Sequence, residues 1–466
     1  MRAPEDVLRA VEARFEKTVA ELCDFARIPG ISAAGFDAAE VERSARRVAE
    51  LCTDAGLERV EILGVPGAHP AVVAEWTHAG AGAPSVLFYA HHDVQPPSRL
   101  ERWRTPPFEP TRGADGRLYG RGIVDDKAGV VLQLAALRAW LEVRGELPLN
   151  VKLVVEGEEE IGSAHLAAFL RAHRERLRAD VLVLSDTANL ATGVPSLTTS
   201  LRGLVSVDVT VRALDHPLHS GMWGGPIPDA ATALARLLAR LVDERGAVAI
   251  PGFCDDVPEL DAAERARLAA LPFDERTFRA EAGFAGATLA GEADRSVYER
   301  LWTRPAVSVV ALEGTPLAGA PNQLMAEARA RVSVRLAPGQ DAERARRCVL
   351  DFLHRDPPFG VGISTHPEVA VPGWRTEARG PAFEAARRAL AAGYGRPCEL
   401  IGCGGTIPFV GPFLEVLGGA PALLLGLEDP PCNAHGENES LDLADFRKAV
   451  VSVAHLVAEL SEAKRA

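Results

Sequence analysis

The chain has 466 residues, more than one core ordinarily organises, and so implies two domains. Hydrophobic residues at 47% and charged residues at 25% mark a globular protein and exclude a disordered one. The 51 lysines and arginines against 64 aspartates and glutamates leave a net charge of -13 without any basic block, which excludes nucleic acid and anionic membranes as main partners.

The opening, MRAPEDVLRAVEARFEK, carries acidic groups and reads as an amphipathic helix rather than a signal peptide. No apolar run approaches the ~20 residues that span a bilayer. The 7 cysteines include no CxxC pair and read as reduced thiols, so a cytoplasmic location is expected. Up to Arg202, helical stretches alternate with short apolar runs, clearest at 86–90, 151–155 and 181–184. Runs without polar alternation suit strands covered on both faces by helices.

Beyond Arg202 the pattern changes. Val205, Val207, Val209 and Val211 alternate with Ser206, Asp208, Thr210 and Arg212, and Arg329, Arg331, Ser333 and Arg335 alternate with Ala330, Val332 and Val334. A period of two predicts antiparallel strands with one wet face. Helical patterns lie near 229–244 and 341–355. After Gly380 the earlier style returns, with a helix at 382–392 and an apolar run at 422–425. The expected fold class is α/β: a catalytic domain over 1–202 and 374–466 with a mostly parallel sheet flanked by helices, interrupted at 203–373 by an α+β domain with an antiparallel sheet.

The apolar runs deliver ligand-type residues at their ends. SVLFYA is followed by His91, His92 and Asp93; LNVKLVV leads into Glu156, Glu158, Glu159 and Glu160; VLVLS ends at Asp186; PALLLGL runs into Glu428, Asp429 and then His435. Asp125 and Asp126 follow the turn-prone GRGIV. Taken singly these are ordinary, since glutamate runs commonly open solvated helices and an aspartate after a strand is commonly a cap. Delivered together to the carboxyl ends of strands, they predict one acidic, histidine-containing cleft. Crowded carboxylates repel unless cations neutralise them, and imidazole with carboxylate is the ligand set of zinc, or of manganese where oxygen dominates. His91, Asp125, Glu160, Asp186 and His435 supply ligands for two metals, with room for one of them to bridge.

Eight motifs run in order along the chain: YAHHDVQP, LYGRGIVDDK, EGEEEIGS, SDT, LHSGMWGG, SVRLAPGQ, GGTIP and AHGENES. In these the chain resembles the co-catalytic metallopeptidase family of aminoacylases, carboxypeptidase G, acetylornithine deacetylase and succinyl-diaminopimelate desuccinylase, and most of all its dipeptidase branch of cytosolic non-specific dipeptidase and carnosinase. The resemblance implies two divalent metal ions per subunit, zinc by expectation with manganese or cobalt as alternatives. Asp125 would bridge them, with His91 and Asp186 completing one site and Glu160 and His435 the other. It implies hydrolysis of the peptide bond of dipeptides or short peptides by a hydroxide bridging the metals, with Glu159 as general base and Asp93 holding the ring of His91. An acyl-amino acid or carbamoyl-amino acid substrate is the alternative, although the long middle segment favours a dipeptidase. By the same resemblance the peptide bond between Asp125 and Asp126 is cis, the middle domain is a lid and dimerisation domain, and His219 from it stabilises the oxyanion in the partner subunit of a homodimer. Asn322, Arg335, Gly405 and Thr406 would bind the substrate. Thr406 stands where relatives often have Ser, and His92 is expected to turn away from the metals.

Overall fold

The computed structural model describes residues 2–407 and 410–463. The chain forms two compact units, the first comprising Met1–Thr199, Glu377–Ile401 and Pro408–Ala466, the second Ser200–Thr376 and Gly402–Ile407. Among the described residues no helix is long and apolar enough to cross a membrane.

At the centre of the first unit, the strand Ser85–His91 pairs in parallel with Asn150–Glu156 on one side and Val181–Ala188 on the other, and Ala422–Glu428 extends the parallel order. These are the runs without polar alternation, and their interior is sealed: Val86, Leu87, Phe88, Tyr89 and Ala90 are all fully buried. One face carries Val86, Phe88, Val151, Leu153, Val183 and Leu423 into a core shared with the helices Glu5–Ala26, Lys127–Arg144, Pro381–Tyr394 and Leu443–Glu462. The other face is covered in part by Phe413 of the helix Val410–Val416, whose ring meets Tyr89 edge-on. Each fully buried Val, Leu or Phe contributes about 1.5–3 kcal/mol, and truncating Phe88 to Ala costs about 3–5 kcal/mol because the packed surroundings cannot close the gap. The expected parallel sheet is thus its centre. Its margins are antiparallel, with Ala71–Trp76 against Asn150–Glu156, Glu58–Leu63 beyond it, and Leu197 and Thr198 against Ala422–Glu428.

Helix signals act where the sequence places them. Leu443–Glu462 starts at Asp442, whose side chain accepts from the Asp445 amide, and buries Phe446, Val450, Val453 and Val457 at three- and four-residue spacing. Lys127–Arg144 stops at Gly145, which takes the left-handed conformation of a C-terminal cap.

In the second unit the alternating segments are the strands Gly203–Arg212 and Glu327–Leu336, paired antiparallel in full register. Ala306–Glu313 and Gly362–Val371 flank them on the two sides. Val205, Val207, Val209, Val211, Ala330, Val332 and Val334 point into a core closed by the helices Ala230–Ala239 and Ala342–His354. The opposite face is wet, and there Arg331 grips Asp208 with Nε–Oδ1 at 2.6 Å.

Candidate metal centre

His91, Glu156 and Glu428 close their strands, and Asp186 lies near the end of its own. Because these strands are parallel, their carboxyl ends share one edge, the place where open α/β sheets build sites. The turn before the helix Lys127–Arg144 adds Asp125 and Asp126, joined by a cis peptide bond. Gly122 in that turn has φ +71, and a side-chain carbon there would fall 2.3 Å from Val94 Cγ1, so only glycine fits. His435 itself sits at φ +62, a strained backbone for a residue with a side chain.

Asp125 stands between two imidazoles. Its Oδ1 lies 3.0 Å from His91 Nε2 and its Oδ2 lies 2.9 Å from His435 Nε2. Asp186 Oδ1 is 3.9 Å from His91 Nε2, and Glu160 Oε2 is 3.1 Å from His435 Nε2. His91, Asp125 and Asp186 therefore make one group whose ligand atoms lie within 4.8 Å of one another, and Asp125, Glu160 and His435 make a second. Glu159 Oε2 lies 4.0 Å from His91 Nε2, beside both groups without belonging to either.

The charge balance is incomplete without cations. Burial, together with the negative charge of Glu160 and Asp125, pushes Glu159 up to about 8. Burial and the Asp125 carboxylate push Glu428 up to about 8 as well, and burial with the Asp126 carboxylate raises Asp186 well above the usual range. His435 is pushed up to about 11 by its hydrogen bonds to Asp125 and Glu160. Asp126 Oδ2 accepts from the His91 amide at 3.2 Å, whereas Oδ1 is buried with no hydrogen-bond partner among the described residues. So many carboxylates remain ionised together only if further positive charge enters the cluster. Imidazole nitrogen and carboxylate oxygen in two triads suit divalent transition metals.

The groups that hold these ligands are visible too. The Asp93 carboxylate accepts from the amides of Glu159 (3.2 Å) and Glu160 (3.1 Å) and from Ser32 Oγ (2.6 Å). The nitrogen of His91 turned away from Asp125, Nδ1, lies 3.0 Å from the Asp93 carbonyl oxygen and 3.4 Å from its carboxylate, so the orienting contact is shared between backbone and side chain. His92 Nε2 turns to the Pro70 carbonyl, 2.9 Å away. Sequence reasoning passed over Gln95, Arg121 and Glu439, although each lies inside a quoted motif. Gln95 donates to Glu160 from its amide (3.1 Å) and from Nε2 (2.9 Å). Glu439 accepts from Arg121 Nη1 (2.7 Å) and from the amides of Gly122 (2.9 Å), Val124 (3.0 Å) and Asp125 (3.3 Å). Arg121 Nη2 reaches the carbonyls of His435 (3.1 Å) and Gly436 (3.0 Å). This pair ties the turn bearing Asp125 to the loop bearing His435.

The five remaining predicted residues, His219, Asn322, Arg335, Gly405 and Thr406, lie in the second unit. His219 is exposed on a short strand paired with Gln323–Leu324, and Ser220 Oγ donates to Asn322 Oδ1 at 2.6 Å, so His219 and Asn322 share one corner. Arg335 Nη1 donates to Thr406 Oγ1 at 2.7 Å, and the Gly405 amide points to Cys403 Sγ at 3.2 Å.

A mixed sheet flanked by helices, with two ligand triads sharing one aspartate at its carboxyl edge, defines a metallopeptidase. The chain belongs to peptidase family M20/M25/M40, whose pattern matches residues 87–459. It is 33% identical over 382 residues to the cysteinylglycine-S-conjugate dipeptidase of Corynebacterium striatum, covering 80% of this chain and 81% of that protein. It is 28% identical over 387 residues to the Beta-Ala-His dipeptidase of Homo sapiens, covering 81% and 75%. The solved structure of the di-peptidase Dug1p from Saccharomyces cerevisiae matches with a TM-score of 0.85 at 25% identity, over 99% of each chain. These relatives fall in the dipeptidase branch that the motifs implied.

Proposed function

We propose that the chain hydrolyses the peptide bond of dipeptides and short peptides with the help of two divalent metal ions, and that these are zinc. The observation that supports this most directly is the Asp125 carboxylate, one oxygen turned to each ligand triad. His91, Asp125 and Asp186 would hold one ion and Asp125, Glu160 and His435 the other. Such ions, when bound, lower the pKa of water and polarise a scissile carbonyl. Glu159 takes a proton from the attacking water and delivers it to the leaving amine. Asp93 keeps the His91 ring in place and, through the amides of Glu159 and Glu160, the two neighbouring glutamates. Arg335 pairs with the carboxylate of the substrate, aided by the Thr406 hydroxyl, the Gly405 backbone and Asn322. His219 donates to the carbonyl oxygen as negative charge develops there.

His219 would act on the cleft of a second copy, so the active unit is a homodimer with reciprocal exchange. The strand Ala306–Glu313 supports association: it is the margin of its sheet, and Val310 and Leu312 on it are 59% and 67% exposed. An uncovered strand of this kind invites a second chain. Cys52, Cys398 and Cys432 are buried thiols, as in proteins of reducing compartments, and we assign the protein to the cytoplasm.

The test is a panel of dipeptides set against N-acetyl and N-succinyl amino acids, each assayed with zinc, manganese and cobalt. Turnover of dipeptides in preference to acyl-amino acids is expected. Turnover of acyl-amino acids alone would replace this reading with a deacylase.

A further inference from the structure

We propose that Arg202 is a second guanidinium of the substrate-carboxylate receptor, acting beside Arg335; this rests on the reading of Arg335 and Thr406 as the pair that binds that carboxylate. Arg202 grips the segment 403–406 at several points. Its amide donates to the carbonyls of Cys403 (3.3 Å) and Gly405 (3.1 Å), its carbonyl accepts from Thr406 Oγ1 (2.7 Å), and its Nε donates to the Gly404 carbonyl (3.0 Å). Arg335 reaches the same hydroxyl, donating from Nη1 to Thr406 Oγ1 at 2.7 Å. One threonine hydroxyl therefore binds both arginines, donating to the backbone of one and accepting from the side chain of the other.

The two guanidiniums lack what other arginines of this unit possess. Arg295 and Arg304 are sunk against Glu259 and Glu292, at 3.0 and 2.6 Å. Arg202 and Arg335 are half-buried, and among the described residues neither forms an ion pair; Arg202 feels burial, the like charge of Arg335 and the Cys403 thiol, and Arg335 feels burial and that thiol. Burial and Arg335 hold Arg202 down to about 10. Like charges removed from water without a counter-ion are costly, so a pair kept this way is completed by an anion. The donors to receive it are in place. Nη1 and Nη2 of Arg202, and Nε and Nη2 of Arg335, are not used in hydrogen bonds among the described residues. A guanidinium fork matches the two oxygens of a carboxylate, and a peptide substrate brings one on its C-terminal residue. Gly404 leaves room for the arrangement: a side-chain carbon there would come within 3.0 Å of Arg202 Nη2 and 3.2 Å of the Leu301 carbonyl.

The experiment compares a dipeptide with its C-terminal amide as substrates of the metal-loaded enzyme, and measures calorimetric binding of the product amino acid against its amide. Arg202→Gln and Arg335→Lys are each expected to raise KM for the dipeptide about tenfold or more, as loss of a hydrogen bond to a charged group does, with little change for the amide. Their combination should cost less than the product of the two, since both act on one carboxylate. Binding of the product amino acid should weaken in parallel, and that of its amide should not. If Arg202→Gln raises KM equally for dipeptide and amide while Arg335→Lys still discriminates, Arg202 merely props the loop and the proposal is overturned. If Arg335→Lys fails to discriminate as well, the carboxylate reading beneath it falls too. Should Arg202→Gln not fold, Gly404→Ala reads the same difference by pushing Nη2 aside, and equal effects on dipeptide and amide again overturn the proposal.

Discussion

Arg121 and Glu439 stand 318 residues apart in the chain and meet at 2.7 Å, with side chains 1% and 0% exposed. Removing one member strands a buried charge, which costs about 3–5 kcal/mol. Glu439→Ala should therefore lower the unfolding free energy by that order in urea titration. Replacing a buried pair by apolar residues is often nearly neutral, but Glu439 also accepts from the amides of Gly122, Val124 and Asp125. The double variant Arg121→Met with Glu439→Leu should consequently remain destabilised, and it should retain metal poorly because the Asp125 turn is loosened. Full recovery of stability and metal content in the double variant would reduce the pair to a local ion pair.

Metal removal offers a second measurement. Prolonged chelation should abolish peptide hydrolysis, and restoring a divalent transition metal should recover it. A ligand at a hundredfold excess over its dissociation constant adds about 2.7 kcal/mol to stability, so the metal-free protein should also melt earlier. Full activity in protein shown to be metal-free by elemental analysis would remove the metal centre from the mechanism.

The roles proposed for the adjacent glutamates can be told apart by substitution. Glu159→Gln should keep both metals and lose about 10²–10⁴ in rate, the usual contribution of a general base. Glu160→Ala removes an oxygen that lies 3.1 Å from His435 Nε2, and should lose occupancy of one site by elemental analysis. Normal turnover by Glu159→Gln with its metal content intact would reassign the base.

The proposed exchange of His219 between subunits predicts complementation between two inactive variants, His219→Ala and Glu159→Gln. In a mixed dimer, the subunit carrying His219→Ala keeps its own Glu159 and receives an intact imidazole from its neighbour. Random re-association of equal amounts makes about half the dimers mixed, each with one working site. Activity should return to about a quarter of wild type. No recovery despite demonstrated subunit exchange would confine His219 to its own chain.

Much of the fold is legible in the sequence. The apolar runs at 86–90, 151–155 and 181–184 marked the covered strands because a strand buried on both faces has no polar period, and the valines from 205 to 211 marked a half-wet one. Of the candidate ligands, His91, Glu160 and Asp186 are singled out by following those runs closely, whereas Asp125 and His435 stand in turns and are singled out by their motifs. Gln95, Arg121 and Glu439 are not legible, because a charged or amide side chain carries no sign of burial in sequence; only the long-range meeting of Arg121 with Glu439 makes the role plain. The strands Ala306–Glu313 and Gly362–Val371 are less legible because each shifts register along its length, between Val309 and Ala311 and between Pro367 and Val369, which interrupts the period of two. The antiparallel margins of the first sheet depend on pairing between distant segments, which local pattern does not encode.

The hexapeptide Gly402–Ile407 belongs to the second unit although the first unit flanks it on both sides in the chain. A gene fragment encoding Ser200–Thr376 alone would lack the Gly404 carbonyl and the Thr406 hydroxyl that engage Arg202 and Arg335. The unit is consequently no single cassette. Grafting it between relatives, or excising it to leave the first unit, requires two coordinated cuts, and a chimaera that honours only the longer segment would mismatch the two arginines with a foreign loop.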